Sequence, residues 1–219
     1  MRRVWDRWGP LTGVLSVVCL VVGTMMVLSQ PQDKDSDAKI LAYFAVHSHR
    51  VKGIVGFFVF LAGILLLIGF LAALRGRLIA AEGQPGGLTA LAFGAGLVSV
   101  SLSTGSMLLA NGALLASTNT SKFHLDPNTF RLFADTAYGA WVSSVIVAAL
   151  VVWGVSAISL RTSLLPTWWG RLGILMGIAQ LFAFLFFPFF AWLLWITGTS
   201  LLLTRRQGIA TAHIAQPAT

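Results

Sequence analysis

The chain has 219 residues, 57% of them hydrophobic and only 10% charged, with a net charge of +8 and a single cysteine. A soluble domain carries roughly 25% charged residues, so this composition argues against one and points to a membrane. Cys19 alone allows no intrachain disulfide and no thiolate metal cluster, and the basic residues are not strung along one face with aromatics between them, which argues against nucleic acid.

Arg2, Arg3, Asp6 and Arg7 are interleaved with Trp5 and Trp8 before an apolar run from Leu11 to Leu28. That run exceeds the roughly 7 to 15 residues of a signal-peptide core, and Ser29-Gln30-Pro31-Gln32 offers no small-x-small cleavage site. A retained first span over about 11–29 is expected, with the tryptophans at the interface and Cys19 packing as a small hydrophobe. Asp33, Lys34, Asp35, Asp37 and Lys39 mark a solvated connection. Ile40, Leu41, Phe44, Ser48 and Val51 then fall near helical spacing, so the second helix is expected to start before the membrane and enter it at about Val51. The second span covers about 51–74, closed by Arg75, Gly76 and Arg77 and followed by a turn from Glu82 to Gly87.

The third span, about 88–116, is rich in small residues: Gly94, Gly96, Ser99, Ser101, Ser103, Gly105 and Ser106, with Asn111 toward its far end. Small side chains let helix backbones approach closely, which in lipid replaces the hydrophobic effect as the drive for association. Ser99, Ser101, Ser103, Gly105 and Asn111, with Gly173 and Gly177 in the fifth span, are the expected packing positions. The third span is expected at the centre of the bundle, so that Gly105→Leu harms more than Gly63→Leu on a more lipid-exposed second span. A pore lining is the competing reading of the same polar face.

From Ser117 to Tyr138 the chain is polar again. Asp126-Pro127 reads as an N-cap and first helical residue, and Phe130, Leu132, Phe133 and Ala134 suit a short helix lying on the membrane surface. Asn119-Thr120-Ser121 fits a glycosylation sequon, a pattern short enough to arise by chance. The fourth span covers about 139–160, and Arg161, Pro166, Trp168, Trp169 and Arg171 form a basic, aromatic turn after it.

No residue between Arg171 and Arg205 is charged. One straight helix over that stretch would be roughly 50 Å long against a hydrocarbon core of about 30 Å, a mismatch needing more than the usual tilt of about 0 to 40°. Two spans are therefore read, about 169–187 and 188–204, joined at Phe187 and Pro188; a single long kinked helix is the alternative. On the two-span reading Pro188 lies near the outer surface, and a cysteine at Phe187 or Phe189 meets an impermeant thiol reagent. Residues 207–219 read as a flexible cytoplasmic tail.

Six spans put nine basic residues on one side, Arg2, Arg3, Arg7, Arg75, Arg77, Arg161, Arg171, Arg205 and Arg206, against six on the other. Five spans would split them seven to eight, so the positive-inside rule favours six spans with both termini cytoplasmic. The expected fold is all-α: a polytopic membrane protein, a six-transmembrane-helix bundle with a short interfacial helix in the second outer loop. The stretch Ala42-Tyr43-Phe44-Ala45-Val46-His47, the span ending Phe70-Leu71-Ala72-Ala73-Leu74-Arg75, the Glu82-Gly83 turn and the ending Trp195 to Arg206 carry a resemblance. With them the chain resembles the uncharacterised bacterial membrane proteins grouped as domain of unknown function 4386, which are frequent in actinobacteria. The resemblance implies a bacterial inner membrane and no established activity, catalytic residue or cofactor.

Candidates for chemistry lie on the outer side: His47, His49, His124, Asp126 and Asp135. Histidine and carboxylate suit a zinc-type site, but His47 and His49 point about 200° apart on a helix and share a metal only if the segment is extended. Interfacial histidines bonded to water, headgroups or acids are the simpler account. No His-Glu-x-x-His, phosphate-binding loop or nucleophile elbow occurs. No Asp, Glu, Lys, Arg or His falls within the body of a span, and Asn111 and Gln180 are the strongest polar groups there, so ion-coupled transport is disfavoured. An accessory or structural membrane role is expected, with no cofactor, the lipid bilayer as partner and a membrane protein or second copy as a further one. A carrier or channel for a small neutral or lipophilic solute is the alternative, and an outer-face metalloenzyme comes third.

Overall fold

The structure is a computed structural model that describes residues 8–83, 86–119 and 123–214, with side chains as far as 205 apart from those at 118 and 119. Arg2, Arg3, Trp5, Arg7, Lys122 and the Thr120-Ser121 part of the sequon lie outside the described residues. Among those described, every regular element is helical: α1 (Leu11–Val27), α2 (Asp37–Ala45), α3 (His47–Glu82), α4 (Gly87–Ala110), α5 (Gly112–Asn119), α6 (Pro127–Thr162), α7 (Thr167–Gln180), a 3-10 turn (Ala183–Leu185) and α8 (Pro188–Ile214). Three of them, α3, α4 and α6, are long and apolar enough to cross a membrane, and α1 is a shorter apolar helix.

Neighbours in the chain are neighbours in space, and each long helix runs antiparallel to the one before it. Gly13 of α1 faces Phe70 of α3 while Gly23 faces Phe60 and Gly56. Gly96 of α4 faces Leu71 of α3, and Gly53 faces Leu114 at the other end. Ser99 and Ser106 of α4 donate to the carbonyls of Ser144 and Ala137 in α6, at 2.8 and 2.7 Å. Gly173 and Gly177 of α7 lie against Ser156 and Trp153 of α6, and Gly198 of α8 lies against Trp169 of α7. Gly13 also faces Ser200, which brings α8 back to α1 and closes the order into a ring. One end of the bundle therefore gathers Arg75, Arg77, Arg161, Arg171 and Arg205; the other gathers the connections around 28–50, 111–137 and 181–187.

Where the helices stop follows from a few residues. The second helix is two helices and does not run unbroken from Ile40 into the membrane: Val46 takes an extended conformation (ψ 117°) and separates α2 from α3. Past the expected end of the second span at Arg75, Gly76 and Arg77, α3 goes on. Arginine is a good helix former, and the helix continues to Glu82, ending where Gly83 adopts φ 77°. Glu82 then reaches across the turn and accepts from the backbone N–H groups of Leu88 and Thr89 at 2.9 and 2.8 Å and from the Thr89 hydroxyl at 2.5 Å. Its carboxylate satisfies orphan amides at the start of α4, where an anion also suits the helix dipole. The third expected span is interrupted at Asn111, which separates α4 from α5.

The short interfacial helix expected before the fourth span is instead the beginning of α6. Asp126 caps it as expected, accepting from the Thr129 N–H at 2.8 Å, and no glycine or proline cluster follows before Ser163 to stop the helix. At about 1.5 Å per residue its 36 residues extend about 54 Å, well beyond a hydrocarbon core of about 30 Å. In the last apolar stretch the chain does turn back. Trp169 Nε1 donates to Thr199 Oγ1 at 3.0 Å, so α7 and α8 form an antiparallel hairpin, and the single kinked helix is excluded. The break is spread over 181–187, with Pro188 opening α8.

The centre of the bundle is α6, not α4. In the most apolar 18-residue window, 61% of α6 is buried against 33% of α4. Val145, Ala148, Val151, Val152, Val155 and Ile158 of α6 are all at most 2% exposed. The small residues of α4 are useful only on the face that meets a neighbour: Ala92, Gly96, Ser99 and Ser106 pack, whereas a Cβ added at Gly94 or Gly105 would meet nothing within 4 Å. Gly63, placed by the sequence on a lipid-exposed helix, is buried against Leu20 and Cys19 of α1.

Candidate functional site

At the end of the bundle opposite the arginines, a groove of about 260 Å³ opens between α1, α4, α6 and the 181–187 turn. Its floor and sides come from Val27, Ser106, Ala110, Phe130 and Ala137, and its rim from Gln30 and Gln32. One wall is a ladder of aromatic rings. Tyr138 stacks on Trp141 at 5.9 Å between ring centroids, and Trp141 on Phe186 at 5.3 Å. Tyr138 and Trp141 are held in line by the α6 turn, three residues apart. Phe186 is held by an unusual backbone: φ 65°, ψ −42°, with the Phe187 N–H donating to the Leu185 carbonyl at 2.8 Å. This is a classic γ-turn in sense, a strained conformation for a residue with a side chain. It is locked by Tyr138, whose hydroxyl donates to the Phe184 carbonyl at 2.8 Å.

Polar clamps fix the rim. Gln30 Nε2 donates to Asn111 Oδ1 at 2.9 Å, and Asn111 Nδ2 donates to the Met107 carbonyl at 2.8 Å. Asn111 is completely buried and so joins the ends of α1 and α4, the interhelical role its position in the sequence suggested. Arg131 grips the first connection with its guanidinium, donating to the Asp33 carbonyl at 2.8 Å, the Asp35 carbonyl at 2.9 Å and the Asp37 carboxylate at 2.6 Å. The Asp35 carboxylate is held below the ordinary range, first by its hydrogen bond from Lys39 and then by the Gln32 N–H. Asp126 is also lowered, by the backbone N–H of Thr129 and then by its hydroxyl.

The residues singled out for metal chemistry do not converge. Among the described residues no group of three or more His, Cys, Asp or Glu is placed to hold an ion. His47 and His49 share the first turn of α3; His49 stacks on Tyr43 at 4.5 Å while His47 is exposed. His124 and Asp135 are exposed, and Asp126 is spent on the α6 cap. Of the packing positions, Ser99, Asn111, Gly173 and Gly177 are buried. Ser103 is half-buried, Ser101 is exposed and bonds only to its own Leu97 carbonyl, and Gly105 faces open space. Gln180 is fully buried, and neither of its amide atoms has a hydrogen-bond partner among the described residues.

Sequence reasoning missed the groove because its members come from four separated stretches with no motif. The available signal was the aromatic pair Tyr138 and Trp141 one helical turn apart at the start of a span. No family model, curated protein or solved structure matches the chain.

Proposed function

We propose that the chain is a six-span integral protein of a bacterial inner membrane, with both termini cytoplasmic, that binds a neutral amphiphilic molecule at its outer end in an accessory rather than catalytic role. The family we propose for it is family 4386 of unknown function, on the resemblance of its sequence features alone. The six spans are α1, α3, α4, α6, α7 and α8. Their alternating direction and the collection of arginines at one end support this topology through the positive-inside rule.

The observation that carries the binding role is the groove's chemistry. Aromatic and aliphatic side chains form its walls, amides and hydroxyls its polar points, and none of its lining residues is an acid, lysine, arginine or histidine. Such a lining favours a ligand with an apolar body and an uncharged polar head, and it supplies no general acid or base near neutral pH. At about 260 Å³ it lies just below the roughly 300 to 1,000 Å³ of pockets that enclose a drug-sized molecule, a size suited to part of a chain or one ring system.

The test is a thermal-stabilisation screen of detergent-purified protein against neutral and charged lipids and small amphiphiles, with Ala134→Trp filling the groove. Neutral amphiphiles should stabilise the native protein and lose that effect in the variant. Stabilisation that survives Ala134→Trp, or that only charged ligands give, would refute the assignment. A reporter fused after Arg206 should lie in the cytoplasm; an externally accessible one would overturn six spans.

A further inference from the structure

The turn between α7 and α8 lacks what a loop needs in order to stand in water. From Leu181 to Ile196 there is no charged, amide or hydroxyl side chain. Phe184 and Phe187 are each 57% exposed, and Leu181, Phe182, Leu185 and Phe186 are exposed beside them. The other connections at this end carry Gln30, Gln32, Asp33 and Lys34, or His124 and Asp126. The turn's backbone, by contrast, is largely satisfied from within. The N–H groups of Leu181, Phe182, Leu185, Phe186 and Phe187 donate to carbonyls two or three residues earlier, and the Phe184 carbonyl takes the Tyr138 hydroxyl. Apolar side chains outside and hydrogen bonds inside are what the bilayer demands of irregular backbone, because no water is present there to satisfy it.

Depth gives the same answer. The turn is tied to α6 at Tyr138 and Trp141. Above Tyr138, α6 continues eleven residues to Pro127, about 16 Å at 1.5 Å per residue. Below it, Arg161 is twenty-three residues away, about 35 Å, against a hydrocarbon core of about 30 Å and a whole bilayer of about 40 to 45 Å. With Arg161 at the cytoplasmic interface, the turn falls at the boundary between acyl chains and headgroups, the level where Trp and Tyr collect.

We infer that the 181–187 turn is an aromatic tip that stays inside the outer leaflet, in contact with lipid acyl chains, while the start of α6 and the first connection project past it into water. This rests on the membrane placement proposed above and reverses the expectation that Phe187 meets an aqueous reagent. It also puts the Phe186 wall of the groove at the lipid boundary, so a ligand can enter sideways from the outer leaflet.

The experiment places single cysteines at Phe184→Cys and Phe187→Cys in a Cys19→Ala background, attaches a nitroxide, and reconstitutes each into neutral phospholipid bilayers. Power saturation then compares collisions with oxygen and with a water-soluble nickel chelate. Leu65→Cys, on a side chain 70% exposed in the middle of α3, and Lys34→Cys, in the first connection, are the lipid and water controls. Both tip positions should favour oxygen over nickel several-fold more than Lys34→Cys does, though less than the mid-span Leu65→Cys, as a site at the acyl boundary requires. Nickel accessibility like that of Lys34→Cys would overturn the inference, as would protection from both reagents, which would mean that protein, such as a second copy, covers the tip. If Leu65→Cys itself collides with nickel, the membrane placement has failed and the inference fails with it. Both tip side chains point away from the core, so a poor yield at one position leaves the other to decide.

Discussion

The closest backbone approach with a sharp energetic consequence is at Gly23, where α1 crosses α3. A Cβ built there would stand 2.7 Å from the Phe60 nitrogen, 2.8 Å from the Gly56 oxygen and 2.9 Å from the Phe60 Cα. These are backbone atoms and cannot swing aside. Comfortable carbon contacts lie at about 3.5 to 4.0 Å, so Gly23→Ala forces the two helices apart by roughly 1 Å. Overpacking of that kind costs about 1 to 3 kcal/mol, whereas replacing a helical glycine by alanine returns about 0.8 to 1.0 kcal/mol. Gly105→Ala gains the propensity term without the clash, since nothing lies within 4 Å of its Cβ position. The propensity term cancels between the two variants, leaving a difference of about 1 to 3 kcal/mol in favour of Gly105→Ala. At about 2 to 4 °C per kcal/mol for a chain of this size, their midpoints in detergent should differ by roughly 2 to 12 °C. Gly63→Ala, whose nearest neighbours are at 3.0 Å, should fall between them. Equal loss at Gly23 and Gly105, or a larger loss at Gly105, would refute α1–α3 contact as the tight seam and return α4 to the centre.

Other perturbations test the rim and the interior. Arg131→Lys should speed amide exchange across residues 33–37, because a single ammonium cannot reproduce the fork that holds two carbonyls and a carboxylate; unchanged exchange would mean the clamp is idle. Asp35 and Asp126 both have folded pKa values below the ordinary 3.8, so their stabilising bonds are fully present above that value and are lost as pH falls below it, through the lowered folded values. Exchange at 32–39 and 127–131, corrected for intrinsic rate, should therefore hold steady from neutral pH down to the ordinary carboxylate range and rise only below it, and Asp126→Asn should flatten the response only at the start of α6. Gln180→Met should raise stability by about 1 to 3 kcal/mol by removing a buried amide with no partner among the described residues, whereas a loss would show that the amide is hydrogen-bonded in the folded protein.

Much of the helix layout was legible because hydropathy and charge report directly on which segments can leave water. The turn back before Pro188, the Asp126 cap and the arginine-rich end all follow from local residue types. One expectation fails for a plain reason: Phe130, Leu132, Phe133 and Ala134 suit a separate surface helix, but a change from polar to apolar residues marks a membrane segment without ending a helix, and the same holds where α3 runs on past Arg75 and Arg77. Helices end at Val46, Gly83 and Ser163, where the backbone leaves the helical region, and only Gly83 announces that in its residue type.

The inversion of α4 and α6 has a different origin. Glycine and serine make close packing available, yet they do not say which face a partner occupies. On α4 the permissive residues go all round, so Ser99 and Ser106 meet α6 while Ser101 and Gly105 look outward. On α6 the buried positions between Val145 and Val155 are mostly valines and alanines, residues that a lipid-facing helix uses as readily as a central one, and its buried Ser144, Gly154, Ser156 and Ser159 are too few to stand out in the sequence. The ring closes because α1 finds α8 through Gly13 and Ser200, a contact 187 residues apart that no local pattern encodes. The groove depends on that same long-range geometry. It exists because α6 outruns the α7–α8 hairpin, leaving Tyr138 and Trp141 beside an aromatic turn instead of beside another full-length helix.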